Sequence, residues 1–397
     1  MNLKNEPKEK VKKILFFGQW TINHSYGCQG LAFPIIEYLN KYFDAEYTFM
    51  ISEGYYEDNI ELCKKRGFKI ARFPYPKFWK NNKELIQAIK ENDIIVDVDG
   101  IEYIGNLSFI KKWFHYFRVS YIHKLARKYN KIYLKAPKSY GPFPNKFFNF
   151  MVKRILNKSL FILVRGKENL KEIQALKLKI PVYNCPDSSF LLEPETREWA
   201  EQYLTKLGLG SDKEIIGISP SYVINNINNN HIDLCKKTIN YFQSQGKQVL
   251  IIPHSISNNA DMGSCDLALS QYIYEDLEDK DNVFLITDAN LEYKQVRAIM
   301  GLLSFYITGR YHGLISSLCM GIPPIVFSWH IKYKDVLSLF VNKFLMIEPN
   351  TTNEEAFGLI KEYYKNQEWF NKSEVEQKLK GVKERVEEGM ALIKSKC

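Results

Sequence analysis

Short apolar runs of strand type alternate with amphipathic stretches of helical period along nearly the whole chain. Lys13–Gly18 reads as a buried strand, followed by a long loop at 19–30 and an amphipathic helix over Leu31–Lys41. The same alternation predicts strands at Tyr47–Ile51, Lys69–Phe73, Ile94–Val98, Ile132–Ala136, Leu160–Val164 and Val182–Asn184. Helices are predicted between them at Glu57–Arg66, Lys83–Glu91, Phe147–Asn157 and Asn169–Leu176. A helix over Glu195–Leu207 and a glycine linker at 208–211 precede a restart at Ile215–Ser219. From there strands at Gln248–Pro253, Val283–Ile286, Phe305–Thr308, Ile325–Phe327 and 343–347 alternate with helices at Ile232–Gln245, Asp266–Leu277 and Tyr293–Leu302. The asparagine-rich 225–230 is a loop. Alternation of this kind predicts an α/β protein with two mostly parallel, doubly wound, Rossmann-like halves. The expected boundaries are 1–193, 194–350 and a helical tail at 351–397 packed on the body. In that tail Ser373 with Glu376 has the spacing of a capping box, and Val375, Leu379, Val382, Val386, Met390 and Ile393 form one apolar stripe.

One stretch of the second half carries chemistry. After the apolar run Phe305–Thr308 comes Gly309-Arg310-Tyr311-His312-Gly313, then small and apolar residues expected to be helical over Leu314–Met320. Gly321 and Pro323-Pro324 end that helix. Ligands of parallel sheets bind beyond the C-terminal ends of the strands, where this turn places Arg310 and His312. With free N–H groups at the helix start, the turn reads as an anion site holding an acid/base residue. An ordinary tight turn with an exposed Arg and a satisfied His is the alternative from these residues alone.

Composition narrows the setting. The net charge is +10, with 25 Tyr and 25 Phe, which suits anionic small substrates, an anionic membrane surface or nucleic acid. No recognised nucleic-acid motif appears, and no nucleic-acid partner is expected. No apolar run is long enough to span a membrane, and the lysine-rich N-terminus lacks the apolar core of a signal peptide. Seven cysteines, odd in number and without C-x-x-C spacing, argue for reduced structural thiols in a cytoplasm.

The order of several short motifs resembles the polysaccharide pyruvyl transferase family. Arg310-Tyr311-His312-Gly313, followed by Gly321-Ile322-Pro323, is similar to its signature. Gly27-Cys28-Gln29 after Asn23 resembles its first glycine loop, and Asp97-Val98-Asp99-Gly100 its acidic strand end. Ser139-Tyr140-Gly141-Pro142-Phe143 resembles its Ser-x-Gly-Pro-Phe turn. Arg165 before Asn169-Leu170, with Asp187 before Phe190-Leu191, resembles its Arg…Asp block, and Pro253-His254 a strand-end motif of the second half. The likeness runs from about Lys13 to Ser328. Cys28 stands where many members carry Asp, and Lys138 where many carry Gln. Two Rossmann-like halves also resemble the GT-B architecture of sugar-handling enzymes, in which the domains face a cleft holding the active site.

The resemblance implies transfer of the pyruvyl unit of phosphoenolpyruvate to a sugar of a surface polysaccharide or glycolipid precursor, closing a cyclic ketal. It implies phosphoenolpyruvate as co-substrate, no further cofactor and no metal. A sugar acceptor is expected, with a lipid-linked one among the options, acting in the cytoplasm or at the inner membrane face. Arg310, Arg165 and Lys138 would hold the phosphate and carboxylate, with Ser139, Gly313, His254, Asn23 and Cys28 around the substrates. His312 would carry the proton, and Asp99 and Asp187 would act as base or hydroxyl acceptor. Each has a structural alternative: Arg165 as a strand-end ion pair, Asp187 as a turn cap, Asp99 as turn chemistry, His254 as a hydrogen-bonded core residue, Lys138 as a solvated side chain. At the level of function the alternatives are a GT-B glycosyltransferase using a nucleotide sugar and a non-catalytic carbohydrate-binding relative. Two segments, Phe109–Arg118 and Lys146–Arg154, mix cations with large apolar side chains, as an interfacial helix or a core helix with snorkelling lysines would.

Overall fold

The computed structural model describes residues 9–397 except 19–20, 76, 78, 81, 104–107, 144, 211, 229, 257–260 and 342–345, and the side chains of 12–397 with those exceptions and 109. Parts of the loops expected at 19–30, 208–211 and 225–230, and the start of the strand expected at 343–347, lie outside the described residues. The chain forms two compact units. The first holds the chain up to Asn23, Gly30–Leu191 and Glu384–Cys397; the second holds His24–Gln29 and Leu192–Lys383.

The first unit contains β1 (Glu9–Phe17), β2 (Phe43–Ser52), β3 (Lys69–Phe73), β4 (Ile94–Asp97), β5 (Ile101–Glu102), β6 (Ile132–Lys135), β7 (Ser139–Tyr140), β8 (Ile162–Val164) and β9 (Val182–Asn184). Its main sheet is parallel, in the order β3-β2-β1-β4-β6. All four residues of β4 are buried, as a strand covered on both faces must be. The pairs β5–β7 and β8–β9 stand apart from it. The two-residue strands β5 and β7 are too short to show a pattern in the sequence.

The second unit contains β10 (Ile215–Ser219), β11 (Gln248–Ile251), β12 (Val283–Leu285), β13 (Phe305–Thr308), β14 (Pro324–Phe327) and β15 (Met346–Ile347). Its sheet is parallel, in the order β12-β11-β10-β13-β14-β15. In both sheets the direction of winding reverses beside the first strand. That switch point lies between β1 and β4 in one unit and between β10 and β13 in the other, and ligands of such folds sit beyond the strand ends there. Behind the second sheet, Ile216, Ile218, Leu234, Ile239, Phe242 and Phe305 belong to one buried cluster.

Several elements differ from the sequence pattern. The first long helix runs Tyr26–Leu39, so Gly27, Cys28 and Gln29 are helical, not loop. Their glycine content suggested otherwise, but the N–H groups of Cys28 and Gln29 already bond the Ser25 carbonyl. The helix expected from Leu314 begins at Tyr311, with Arg310 as its N-cap, so His312 and Gly313 lie in its first turn. Phe109–Lys128 is one helix of 20 residues. The tail forms helices Asn353–Lys365 and Lys372–Lys394. The second is capped by Asn371, whose Oδ1 accepts from Glu374 N at 3.1 Å, not by the Ser373–Glu376 pair, which lies within the helix. Val375, Val382, Val386, Met390 and Ile393 are buried, and Leu379 is half-buried. Near the end of that helix Gly389 passes so close to Cys185 that a side chain at this position would collide with its sulfur.

Burial pushes His123 and His231 each down to about 4. For His231 the Arg310 charge adds to burial, and the bonding agrees, since Nε2 accepts from Ser221 N at 3.3 Å and so carries no proton. Both histidines have a folded pKa below the unfolded value near 6.5, so the unfolded chain binds more protons between those limits. The stability they confer is complete above about pH 6.5 and is lost as pH falls toward 4. Urea unfolding at pH 7 and pH 5 should show the loss. His231→Gln, which keeps an acceptor but cannot titrate, should reduce the pH dependence; an unchanged dependence in that variant would contradict the assignment.

Candidate functional site

In the second unit the site is built where β10 and β13 end. The centre of its bonding is Asp266, fully buried at the start of helix Asp266–Glu275. Its Oδ1 accepts from Tyr222 N at 3.0 Å and from the Arg310 guanidinium. Its Oδ2 accepts from Ser255 N at 3.0 Å and His254 N at 3.3 Å. One carboxylate thus fixes the loop after β11 and the arginine after β13. Arg310 also lies 4.6 Å over the Tyr222 ring, and its side chain keeps 19% exposure. Its buried Nε has no hydrogen-bond partner among the described residues. A guanidinium held at one edge by a carboxylate, with N–H groups left over, is preorganised to receive a second anion.

His312 sits two residues further on, in the first helical turn. Its backbone carbonyl accepts from Tyr293 Oη at 2.6 Å, and its ring meets the Tyr293 ring edge-on at 6.2 Å. Tyr293 is fixed in turn by Ser316 Oγ at 2.6 Å, and its amide donates to Gln29 Oε1 at 2.7 Å. The imidazole rests on Gly27: a Cβ there would lie 2.6 Å from His312 Nδ1. Gly313 has the same kind of constraint, since a Cβ would come within 2.9 Å of both Thr308 Oγ1 and Tyr306 Oη. Two glycines far apart in sequence therefore let a single turn pack around histidine.

His254 is buried, and desolvation with the nearby Arg310 and His312 charges pushes it down to about 3, so it is neutral. Its Nε2 lies 2.8 Å from Tyr306 Oη, which bonds Ser219 Oγ. Ser219 donates to the Ile252 carbonyl at 2.5 Å, so Tyr306 donates to Ser219 and His254 Nε2–H donates to Tyr306. His254 Nδ1 is then an acceptor, with no partner among the described residues.

In the first unit the corresponding strand ends hold a buried ionic cluster. Asp97 accepts from Lys138 Nζ at 2.6 Å, Tyr133 Oη at 2.6 Å and Lys135 Nζ at 3.2 Å. Glu102 accepts from Lys135 at 2.7 and 2.9 Å and pairs with Lys138 at 3.3 Å. None of these four charged side chains exceeds 1% exposure. Against the cost of burial, the Lys138 and Lys135 charges hold both carboxyls below their usual range, and Asp97 and Glu102 raise Lys138. Gly18, at φ +100°, lets the chain after β1 pass beside Asp97 and Asp99. Asp99 accepts from Arg118 Nη2 at 2.7 Å and is 17% exposed. Arg165 donates to Asp187 and to the Gly100 carbonyl. Asp187 also accepts from Ser189 N at 2.9 Å.

The residues singled out in the sequence thus fall into two groups. Arg310, His312, Gly313, His254 and Cys28 belong to the second unit, and Asp99, Asp187, Arg165, Lys138, Ser139 and Asn23 to the first. Lys138 is not solvated; its ammonium is engaged inside the cluster. Asp187 and Arg165 pair with each other. Ser139 is buried at the start of β7, its amide bonded to the Gly100 carbonyl at 3.2 Å. Asn23 is held on helix Tyr56–Arg66, its amide bonded to Asn59 Oδ1 at 2.8 Å and its side chain to the Asp58 carbonyl at 3.0 Å. Cys28 is half-buried in the opening turn of its helix. Sequence reasoning missed Asp266, Tyr293, Tyr306 and Glu102. Asp266 looks like any acidic residue at a helix start, and the tyrosines look like apolar positions of a strand and a helix.

Two Rossmann-like units, each with its polar residues at the switch point of a parallel sheet, define the GT-B class of α/β fold. Solved structures of that kind are similar over nearly their full length. UDP-GlcNAc 2-epimerase from Methanocaldococcus jannaschii is 9% identical, with a TM-score of 0.55, the match covering 94% of this chain and 99% of that one. Sucrose-phosphate synthase from Thermosynechococcus elongatus is 10% identical, with a TM-score of 0.58 and 98% of each chain covered. UDP-GlcNAc 2-epimerase from Neisseria meningitidis, bound to UDP-GlcNAc, is 10% identical, with a TM-score of 0.51, covering 96% of this chain and 100% of that one. At these identities the likeness is one of fold alone. No curated protein sequence matches significantly. The chain belongs to the polysaccharide pyruvyl transferase family, whose sequence model matches residues 26–331, well over half its length.

Three substitutions test the geometry. Gly27→Ala places a methyl group against His312 and should destabilise by roughly 1–3 kcal/mol, the cost of overpacking. Gly358→Ala, in helix Asn353–Lys365 with nothing within 4 Å, should leave thermal melting unchanged or raise it. In the first unit, Lys138→Met strands a buried carboxylate and should cost about 3–5 kcal/mol, measured by urea unfolding. A loss below 1 kcal/mol would mean the cluster is not the buried network described.

Proposed function

We propose that the protein transfers the pyruvyl unit of phosphoenolpyruvate to two hydroxyls of one sugar in a polysaccharide or glycolipid precursor, as a cyclic ketal. The observation that carries this reading is the joint placement of Arg310 and His312 at the opening of helix Tyr311–Cys319, within the segment matched by the family. Arg310, oriented by Asp266, binds the donor's phosphate or carboxylate by fixed charge. His312 delivers a proton to the methylene carbon of the donor, which becomes a methyl group. One sugar hydroxyl then adds to the neighbouring carbon. The second displaces phosphate from it, so two C–O bonds form, one C–O bond to phosphate breaks, and the hydroxyl protons leave with base and phosphate.

For the base, Asp99 fits better than Asp187. Asp99 is partly exposed and gives one oxygen to Arg118, whereas Asp187 is fully buried with both oxygens engaged. Lys138, Arg165 and Asp187 serve in this reading as the frame of the strand ends. An acceptor carried on lipid would bring the protein to a membrane surface. No helix among the described residues is long and apolar enough to cross a membrane.

The donor can be tested by stabilisation. A ligand at about a hundred times its Kd adds roughly 2.7 kcal/mol to unfolding. Phosphoenolpyruvate should raise the melting temperature more than UDP-GlcNAc does; the reverse order would favour a nucleotide-sugar enzyme. The two side chains should then separate in kinetics. Arg310→Lys keeps charge but loses the planar fork, and should raise KM for phosphoenolpyruvate. His312→Asn should leave donor affinity near wild type in calorimetry and lower kcat by roughly 10²- to 10⁴-fold. Loss of donor affinity with kcat preserved would make His312 a binding residue and move the proton elsewhere.

A further inference from the structure

From Tyr103 to Lys167 the sequence contains fifteen Lys and Arg residues and no Asp or Glu, in a chain whose total net charge is +10. Four of these cations, Arg118, Lys135, Lys138 and Arg165, are buried and paired with the carboxylates described above. The others are exposed or half-buried, on helices Phe109–Lys128 and Lys146–Leu156, in the loops beside them and, for Lys167, at the start of the next helix. Neither helix carries an acidic residue.

The same faces expose large apolar side chains. Trp79, Ile110, Phe117, Phe147 and Phe150 are each more than half exposed. They are parts of one surface. The Trp113 ring lies 6.0 Å from Phe147 on the neighbouring helix and 6.1 Å from Phe117 on its own. Phe150 follows Phe147 by one helical step on the same side. Trp79 meets Phe114 at 6.1 Å, and with Phe117 and Lys124 they line a groove of ≈ 440 Å³. The inner sides of the two helices are ordinary core: Tyr116, Val119, Phe148, Val152 and Ile155 are buried together. Neither a core helix nor a plain solvated helix accounts for the outer side. Lys112 lies over the Phe148 ring at 5.3 Å and Arg154 over Phe150 at 5.7 Å, so the cations lie among the rings.

We propose that this face is the docking surface for an anionic lipid bilayer. Exposed aromatic and aliphatic side chains ringed by Lys and Arg match the chemistry of the headgroup region, where rings enter the interface and cations meet lipid phosphate. Charge complementarity favours this occupant over a second copy of the chain. A two-fold contact would place the same cations opposite themselves, with no carboxylate on either helix to neutralise them. The surface is a property of the first unit alone and does not depend on which donor the enzyme uses.

The test is co-sedimentation of the full chain with phosphatidylglycerol vesicles and with phosphatidylcholine vesicles at low and high salt. The wild type should sediment with the anionic vesicles and not the zwitterionic ones, and salt should weaken binding. Lys111→Glu with Lys124→Glu should reduce partitioning by about fivefold or more per charge. Phe117→Ser with Phe147→Ser should also reduce it while leaving the melting temperature near wild type, because both side chains are exposed. No binding of the wild type to anionic vesicles overturns the proposal. So does binding insensitive to the aromatic pair, which would indicate diffuse charge only. A wild-type dimer in analytical ultracentrifugation that the same variants dissolve, without vesicle binding, assigns the face to self-association instead.

Discussion

A carboxylate buried beside the ends of the parallel strands must be matched by cations or N–H groups, and in both units this requirement shapes what lies around it. An isolated buried charge costs several kcal/mol, so partners are recruited until the site is satisfied. In the first unit Asp97 and Glu102 meet Lys135 and Lys138, and the account closes at zero net charge with every ammonium engaged. In the second unit one carboxylate, Asp266, faces one guanidinium and three backbone N–H groups. There the arginine is fixed but not exhausted. The first arrangement gives rigidity, and the second gives an oriented positive charge with hydrogen-bonding capacity to spare.

The two histidines of the second unit show how the same residue type is given different surroundings. His254 is buried, neutral and committed through Nε2 to Tyr306 and Ser219. His312 is partly exposed, seated on Gly27 and held by its backbone through Tyr293. The difference comes from the element each occupies: a loop folded under Asp266 in one case, the outer first turn of a helix in the other.

Strand and helix alternation was legible because buried parallel strands leave long apolar runs between amphipathic segments. The strand–turn–helix at Arg310 was legible for the same reason. The opening turns of the helices were not. At Tyr26 and Tyr311 the helix starts three to five residues before its apolar period begins, because glycines and a histidine form the first turn and carry no periodic signal. The alternative of a solvated Lys138 fails, although a lysine in a turn normally seeks water, because the three-dimensional meeting of Asp97 with Glu102 makes its burial tolerable. Asp266 was invisible because its role comes from partners 11 to 44 residues away. The aromatic helices were recognised by composition, but which rings point outward depends on packing that a helix without a clean polar face does not reveal.

The division of the chain into units is not a division at one point of the sequence. Residues 24–29 leave the first unit to seat His312 in the second, and residues 384–397 return to the first, where Gly389 packs on Cys185. Recombination between relatives at the boundary near residue 191 would therefore carry each half away with a piece of the other missing. A hybrid would keep its two sheets yet lose the bed of the histidine unless residues 24–29 travelled with the C-terminal half and the last helical turns with the N-terminal one. The halves are interlaced modules, and a change within one unit leaves this interlacing intact where exchange of a whole half breaks it.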